Sequence, residues 1–78
     1  MLKSLFTKQH ETLIRCLIEA RNDADMTQQA LADQLGKPQS FVAKYEIGER
    51  RLDVVEFLTI TEILDADPHE IIKRVKSG

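Results

Sequence analysis

Apolar residues recur along the chain at the three- and four-residue spacing of helices, and no stretch shows the alternation of a strand. The first pattern predicts a helix that begins near Ser4 or Thr7 and ends at Arg21. Cys16 falls off the apolar stripe of this helix, and His10 is expected to be a partly buried packing residue. At helical spacing, one side carries Phe6, His10, Leu13, Ile14, Leu17, Ile18 and Arg21.

Two short helices joined by a tight turn are predicted between residues 27 and 50. Thr27 can cap the first helix, and Gly36 can end it because glycine adopts a positive φ without steric strain. Pro38 stands where the second helix would begin, since its missing N–H is not needed there. Gly48 would end that helix. The inner faces are apolar, with Ala30, Leu31, Ala32 and Leu35 on the first helix and Phe41, Val42 and Tyr45 on the second.

Two further helices are marked by their caps. Asp53 followed three residues later by Glu56 is a capping box, and Asp67 followed by Pro68 is a second helix start. The sequence therefore predicts an all-α fold with five helices. We expect a single domain over residues 1–78, with a helix-turn-helix at about 27–47, because 78 residues suffice for one small core.

The ordered residues of the 27–50 stretch resemble the helix-turn-helix of the phage repressor/Cro-like (Xre) transcriptional regulators. The similarity extends from about residue 13 to residue 72. Single positions are weak indicators, but the complete set at this spacing is specific to the family pattern. The matching residues are Gln28, Ala32, Gly36, Val42, Tyr45, Glu46 and Gly48.

The resemblance implies sequence-specific binding of double-stranded DNA, with a recognition helix at about 38–47 in the major groove. The family reads bases through residues at three positions of this helix, which are Gln39, Ser40 and Lys44 in this chain. Phosphate contacts are expected from Gln28, Lys37, Arg50 and Arg51. In the family, the residues at the positions of Arg21 and Glu46 often form an ion pair. Arg21 and Glu46 are therefore expected to form a partly buried ion pair.

The distribution of charge along the chain supports DNA binding, although the net charge does not. The net charge is −2, whereas DNA-binding domains are usually basic. Residues 27–51 carry four basic and three acidic side chains, and residues 52–78 carry three basic and six acidic ones. The helix-turn-helix is therefore the least acidic part of the chain.

A domain of this size would cover only one half-site of an operator, so a homodimer on pseudo-palindromic DNA is expected. Its interface is predicted at the end of the fourth helix and on the fifth, at Ile71, Ile72 and Val75, with Leu2 and Leu5 as candidate additions. The expected role is that of a repressor. The acidic C-terminal third leaves open an alternative, an antitoxin-like or other helical module that mainly binds a second protein.

Other chemistry has little support in the sequence. No nucleophile motif, glycine-rich phosphate loop or Cys/His cluster is present, so no enzyme activity, cofactor or metal is expected. No apolar run approaches the length of a membrane span, and no signal peptide is recognisable. A single cysteine cannot form an internal disulfide, which fits a cytoplasmic protein.

Overall fold

The computed structural model describes residues 7–78, and this part of the chain contains five α-helices and no strand. The prediction of an all-α fold with five helices is confirmed. The predictions that involve Leu2, Leu5 and Phe6, and a helix start at Ser4, lie outside the described residues. The helices are α1 (Lys8–Asp23), α2 (Gln28–Leu35), α3 (Gln39–Glu46), α4 (Val54–Leu64) and α5 (Pro68–Ser77).

The predicted caps define where the helices begin. The Thr27 hydroxyl accepts a hydrogen bond from the backbone N–H of Ala30 at 3.0 Å. Asp53 accepts from the backbone N–H of Glu56 at 2.7 Å, and the Glu56 carboxylate accepts from the backbone N–H of Asp53 at 2.9 Å. This reciprocal pair confirms the capping box of α4, and it satisfies two N–H groups that the helix itself cannot use.

The turn between α2 and α3 follows from one glycine and one proline. Gly36 has φ 70°, and the next backbone N–H, of Lys37, donates to the carbonyl of Ala32 at 3.0 Å. Pro38 was expected as the first helical residue but precedes the helix instead. Its ψ of 157° is extended, while its carbonyl already accepts from the N–H of Phe41. Helix α3 therefore starts at Gln39.

Helix α1 runs two residues beyond Arg21, the predicted end, and stops at Asp23. The carbonyl of Arg21 accepts from the backbone N–H of Met26 at 3.1 Å. Asp25, in the connecting loop, adopts a left-handed conformation with φ 58°, which aspartate tolerates better than most residues. The extension leaves Arg21 inside α1 with its side chain directed at the helix-turn-helix.

The core forms where α1 packs against α3, α4 and α5, while α2 packs against α3 and α4. The residues without exposed surface at its centre are Leu17, Leu31, Ala32, Val42, Tyr45 and Ile60. Cys16 was predicted to point away from the apolar stripe, which is wrong, because its side chain is buried in this core. Because α1 contacts three neighbouring helices, its buried side is wider than the apolar stripe in the sequence.

Candidate nucleic-acid interface

A chain of hydrogen-bonded side chains, here called the polar relay (Arg21, Glu46, Gln28 and Gln39), connects α1 to the first residue of α3. Arg21 donates through Nε to Glu46 Oε2 at 2.7 Å and through Nη2 to Oε1 at 3.1 Å. Gln28 Nε2 donates to Glu46 Oε1 at 2.8 Å, and Gln39 Nε2 donates to Gln28 Oε1 at 2.7 Å. The relay thus runs from the interior to the exposed start of α3.

The inner end of the relay is an ion pair with little access to water. The side chain of Arg21 is 13% exposed and that of Glu46 is 5% exposed. A third donor group of the guanidinium, Nη1, bonds the carbonyl of Met26 at 2.8 Å and so also holds the loop after α1. The hydrogen bond with Glu46 raises the pKa of Arg21 above its usual value, although burial opposes this, so the guanidinium stays charged.

The outer face of α3 carries the three residues predicted to read bases. Gln39, Ser40 and Lys44 are all exposed. Helical geometry places Ser40 and Lys44 one turn apart on one side of the helix. The opposite side of α3 is fixed in the core, where Val42 and Tyr45 have no exposed surface. The helix therefore presents a polar face while its apolar face anchors it.

Arg50 has partners that its sequence position did not reveal. Its Nη1 donates to Glu56 Oε1 at 3.0 Å and to the carbonyl of Arg51, and Nη2 donates to Glu56 Oε2 at 2.9 Å. Its guanidinium carbon lies 4.6 Å from the ring centroid of Phe41. These contacts tie the segment after α3 to the start of α4. Arg51 remains exposed.

The Arg50–Glu56 pair perturbs both groups. The hydrogen bond from Arg50 is the largest cause that lowers the pKa of Glu56, and the backbone N–H of Asp53 adds to it. The hydrogen bond with Glu56 likewise raises the pKa of Arg50. The sequence predicted Glu56 as a capping residue only, because a six-residue separation belongs to no helical pairing pattern.

Lys37, another predicted phosphate contact, is exposed, and its Nζ lies 5.4 Å from the Phe41 ring centroid.

The residues predicted for a dimer interface differ in how much of their side chains is exposed. Ile71 is 6% exposed and packs in the core, so little of its side chain is available to a second copy of the chain. Ile72 is 47% exposed, and Val75 is half-buried. Val54 and Leu58 on α4, which were not among the predicted interface residues, are also exposed. A mainly apolar groove between α4 and α5 is lined by Leu13, Leu52, Val54, Phe57, Leu58, Ile72 and Val75, together with the charged residues Asp53 and Lys76.

Comparison with known proteins agrees with this geometry. A helix-turn-helix family model matches residues 17–71, which is most of the chain. A solved structure, an XRE-family like protein from Pseudomonas syringae pv. tomato str. DC3000, is 42% identical in sequence and superposes with a TM-score of 0.82. The match covers 88% of this chain and 84% of that one.

The chain belongs to the Xre family of helix-turn-helix proteins. Comparison with curated proteins finds no match. As an Xre-family member, the chain is a DNA-binding transcription regulator, and the family is not typically enzymatic. Within residues 7–78, no helix is long and apolar enough to span a membrane. The same residues hold no group of three potential metal ligands.

Proposed function

We propose that this Xre-family protein is a homodimeric repressor that reads a specific sequence of double-stranded DNA through α3. The observation that carries the proposal is the polar face of α3, with Gln39, Ser40 and Lys44 exposed beside a buried apolar face. A helix of this kind fits the major groove, where each base pair shows a distinct pattern of donors and acceptors. Such a regulator would act where chromosomal DNA is accessible, in the cytoplasm.

Each of the three side chains suits a different base contact. The amide of Gln39 can pair bidentately with adenine, and the Lys44 ammonium can donate to guanine O6 and N7. The Ser40 hydroxyl can donate or accept. Because Gln39 is already held by Gln28, its amide reaches the groove partly oriented, which reduces the entropy lost on binding.

Phosphate contacts would set the position of α3 on the duplex. Gln28 is the first residue of α2, where backbone N–H groups at a helix N-terminus favour an anion. Lys37 and Arg51 are exposed and flank α3 in sequence. Arg50 is also proposed to contact phosphate, but only through the N–H groups that Glu56 and the Arg51 carbonyl leave available. We therefore expect the weakest phosphate contact from Arg50.

The dimer is proposed to form across the apolar groove between α4 and α5. Val54, Leu58 and Ile72 expose apolar surface there, and Val75 borders it. Burying this surface against a second copy would remove it from water. A two-fold dimer would place two α3 helices one turn of DNA apart, about 34 Å. Repression then needs only occupancy of an operator by this dimer.

The base contacts are tested by titrating labelled DNA with Gln39→Ala and Lys44→Ala. Each substitution should lower affinity for the selected operator by about 1–3 kcal/mol and relax preference at one base pair per half-site. Lys73→Ala is the matched control, since Lys73 is an exposed lysine on α5. Equal weakening on operator and scrambled DNA by Lys44→Ala would contradict base readout.

Assembly is tested separately by light scattering at tens of micromolar protein. We expect a dimer, and we expect Leu58→Glu to convert it to a monomer because a charge would be buried in the interface. Glu62→Ala, at an exposed α4 position, is the control. A monomer both free and on DNA would refute the homodimer. Early elution from heparin with retained folding would instead favour a module that mainly binds another protein.

A further inference from the structure

We propose that Glu56, in the first turn of α4, acts as a built-in substitute for a DNA phosphate and thereby lowers the affinity of this protein for all DNA. It would do so by holding Arg50, which lies in the segment between α3 and α4. The inference rests on the proposed function, in which cations beside α3 contact phosphates. Glu56 is a positioning residue that acts through Arg50 and not a DNA contact.

The contacts of Arg50 with Glu56 are those that an arginine makes with a phosphate. Two guanidinium nitrogens, Nη1 and Nη2, donate to the two carboxylate oxygens at 3.0 Å and 2.9 Å. Such paired bonds are the arrangement in which arginine recognises both carboxylates and phosphates. Glu56 therefore occupies an edge of the guanidinium that a phosphate could otherwise use.

The guanidinium of Arg50 is also held from two other sides. Its Nη1 donates to the carbonyl of Arg51 at 2.6 Å, and its carbon lies 4.6 Å from the ring centroid of the buried Phe41. In the described part of the chain, only Nε and one N–H of Nη2 then make no hydrogen bond. A phosphate that approached these two groups would also come close to the Glu56 carboxylate, and like charges repel.

The Arg50–Glu56 pair has no net charge, which limits its attraction for DNA. A cation that neutralises a phosphate releases counterions, and each such contact adds about 0.9 to the slope of log affinity against log salt concentration. Arg50 and Glu56 already compensate each other, so they release few counterions on binding. Because Arg50 holds the pKa of Glu56 below its usual value, the carboxylate stays ionised at neutral pH.

Glu56→Gln removes the charge while keeping the role of this residue in the cap. The Glu56 side chain accepts from the backbone N–H of Asp53, and a glutamine can do the same in a capping box. Asp53→Asn is the matched control, because it removes one negative charge at the same helix end and asparagine is an equally good cap. Asp53 influences Arg50 only as a nearby charge, not through a hydrogen bond.

The experiment titrates a scrambled duplex and the selected operator with the intact protein at several salt concentrations. Glu56→Gln should steepen the salt slope by about 0.9 per half-site on both duplexes. That increment corresponds to about eightfold tighter binding at about 0.1 M salt, and the gain should vanish towards about 1 M. Asp53→Asn should gain about twofold or less, because charges that make no contact are screened.

The possible outcomes separate this inference from the proposed function. Equal gains by Glu56→Gln and Asp53→Asn, or no gain by either, would overturn the role of Glu56 while DNA binding by wild type stands. Wild type that binds neither duplex would refute the proposed function, and the inference with it. Structural damage cannot produce the expected result, because a damaged domain binds DNA less tightly and not more tightly.

A double substitution shows whether Glu56 acts through Arg50. In the Arg50→Ala background, Glu56→Gln should raise the affinity for scrambled DNA by about twofold or less, because no held cation is left to release. The same gain with and without Arg50 would show that the Glu56 carboxylate merely repels DNA. That result would overturn the inference.

A measurement on wild type makes the test independent of the variants. While both Nη groups bond Glu56, rotation about the Nε–Cζ bond of Arg50 is hindered, so two separate Nη nitrogen resonances are expected by NMR. Their chemical shifts should change little when scrambled DNA is added, because Glu56 keeps its hold. A new pair of resonances on DNA would show that Arg50 exchanges Glu56 for a phosphate, and would overturn the inference.

Discussion

Replacing Arg21 by alanine is expected to destabilise the domain more than replacing any of the more exposed charged residues. Arg21 makes two hydrogen bonds to Glu46 and one to the carbonyl of Met26. After the substitution, Glu46 would keep only the hydrogen bond from Gln28 while its carboxylate stays buried. The carbonyl of Met26 would also lose its donor. The damage therefore exceeds the loss of one favourable contact.

The magnitude follows from the burial of the pair. Removing one partner of a buried ion pair costs about 3–5 kcal/mol, because the other charge remains without compensation. A domain of 78 residues has a free energy of unfolding of about 4–12 kcal/mol. Arg21→Ala should thus remove a quarter or more of the total. Arg50→Ala, in a pair with 40% exposed arginine, should remove only about 0.2–1 kcal/mol.

Urea unfolding followed by circular dichroism measures both effects. With a slope of about 1 kcal/mol per molar urea, Arg21→Ala should lower the midpoint by about 3–5 M or leave no folded baseline. The double variant Arg21→Met with Glu46→Leu should recover much of the loss, because an apolar pair leaves no stranded charge. A loss below about 1 kcal/mol for Arg21→Ala would refute the reasoning.

Three other outcomes follow from the structure. Gly36→Ala should cost about 1–2 kcal/mol in urea unfolding, since a Cβ there meets nothing within 4 Å and only the positive φ is strained; Gly36→Asn should cost less. Because Arg50 lowers the pKa of Glu56, their pair stabilises the fold above the ordinary glutamate pKa and is lost as pH falls through the lowered value. The unfolding difference between wild type and Arg50→Ala should therefore be larger at about pH 6 than at about pH 2, and a constant difference would contradict it. In DNA titrations at several salt concentrations, Arg51→Ala should reduce the salt slope by about one unit, and Arg50→Ala by less, because Glu56 already compensates its charge. Equal reductions would show that Arg50 leaves Glu56 on DNA.

Local signals in the sequence were sufficient for the fold. Caps such as Thr27 and Asp53 act within four residues, so they can be recognised without knowledge of the tertiary structure. Burial of Cys16 could not be predicted in this way, because it depends on how many helices surround α1. The same applies to Ile71, whose apolar character suits a core and an interface equally.

The candidate site was predictable in its residues but less so in its bonds. The positions of Gln28 and Gln39 followed from the resemblance, yet their mutual hydrogen bond depends on how α2 and α3 cross. The partnership of Arg50 with Glu56 depends on the path of the loop between α3 and α4, which no helical periodicity encodes. Long-range geometry therefore had to come from the structure.

Selection of binding sites from random duplex DNA tests the central claim most directly. The account predicts an enriched motif with two inverted half-sites whose centres lie about one turn of DNA apart. The selected duplex should bind at least about a thousandfold more tightly than a scrambled duplex at the same physiological salt concentration. No enriched motif, together with equal affinity for selected and scrambled duplexes, would contradict sequence-specific binding through α3.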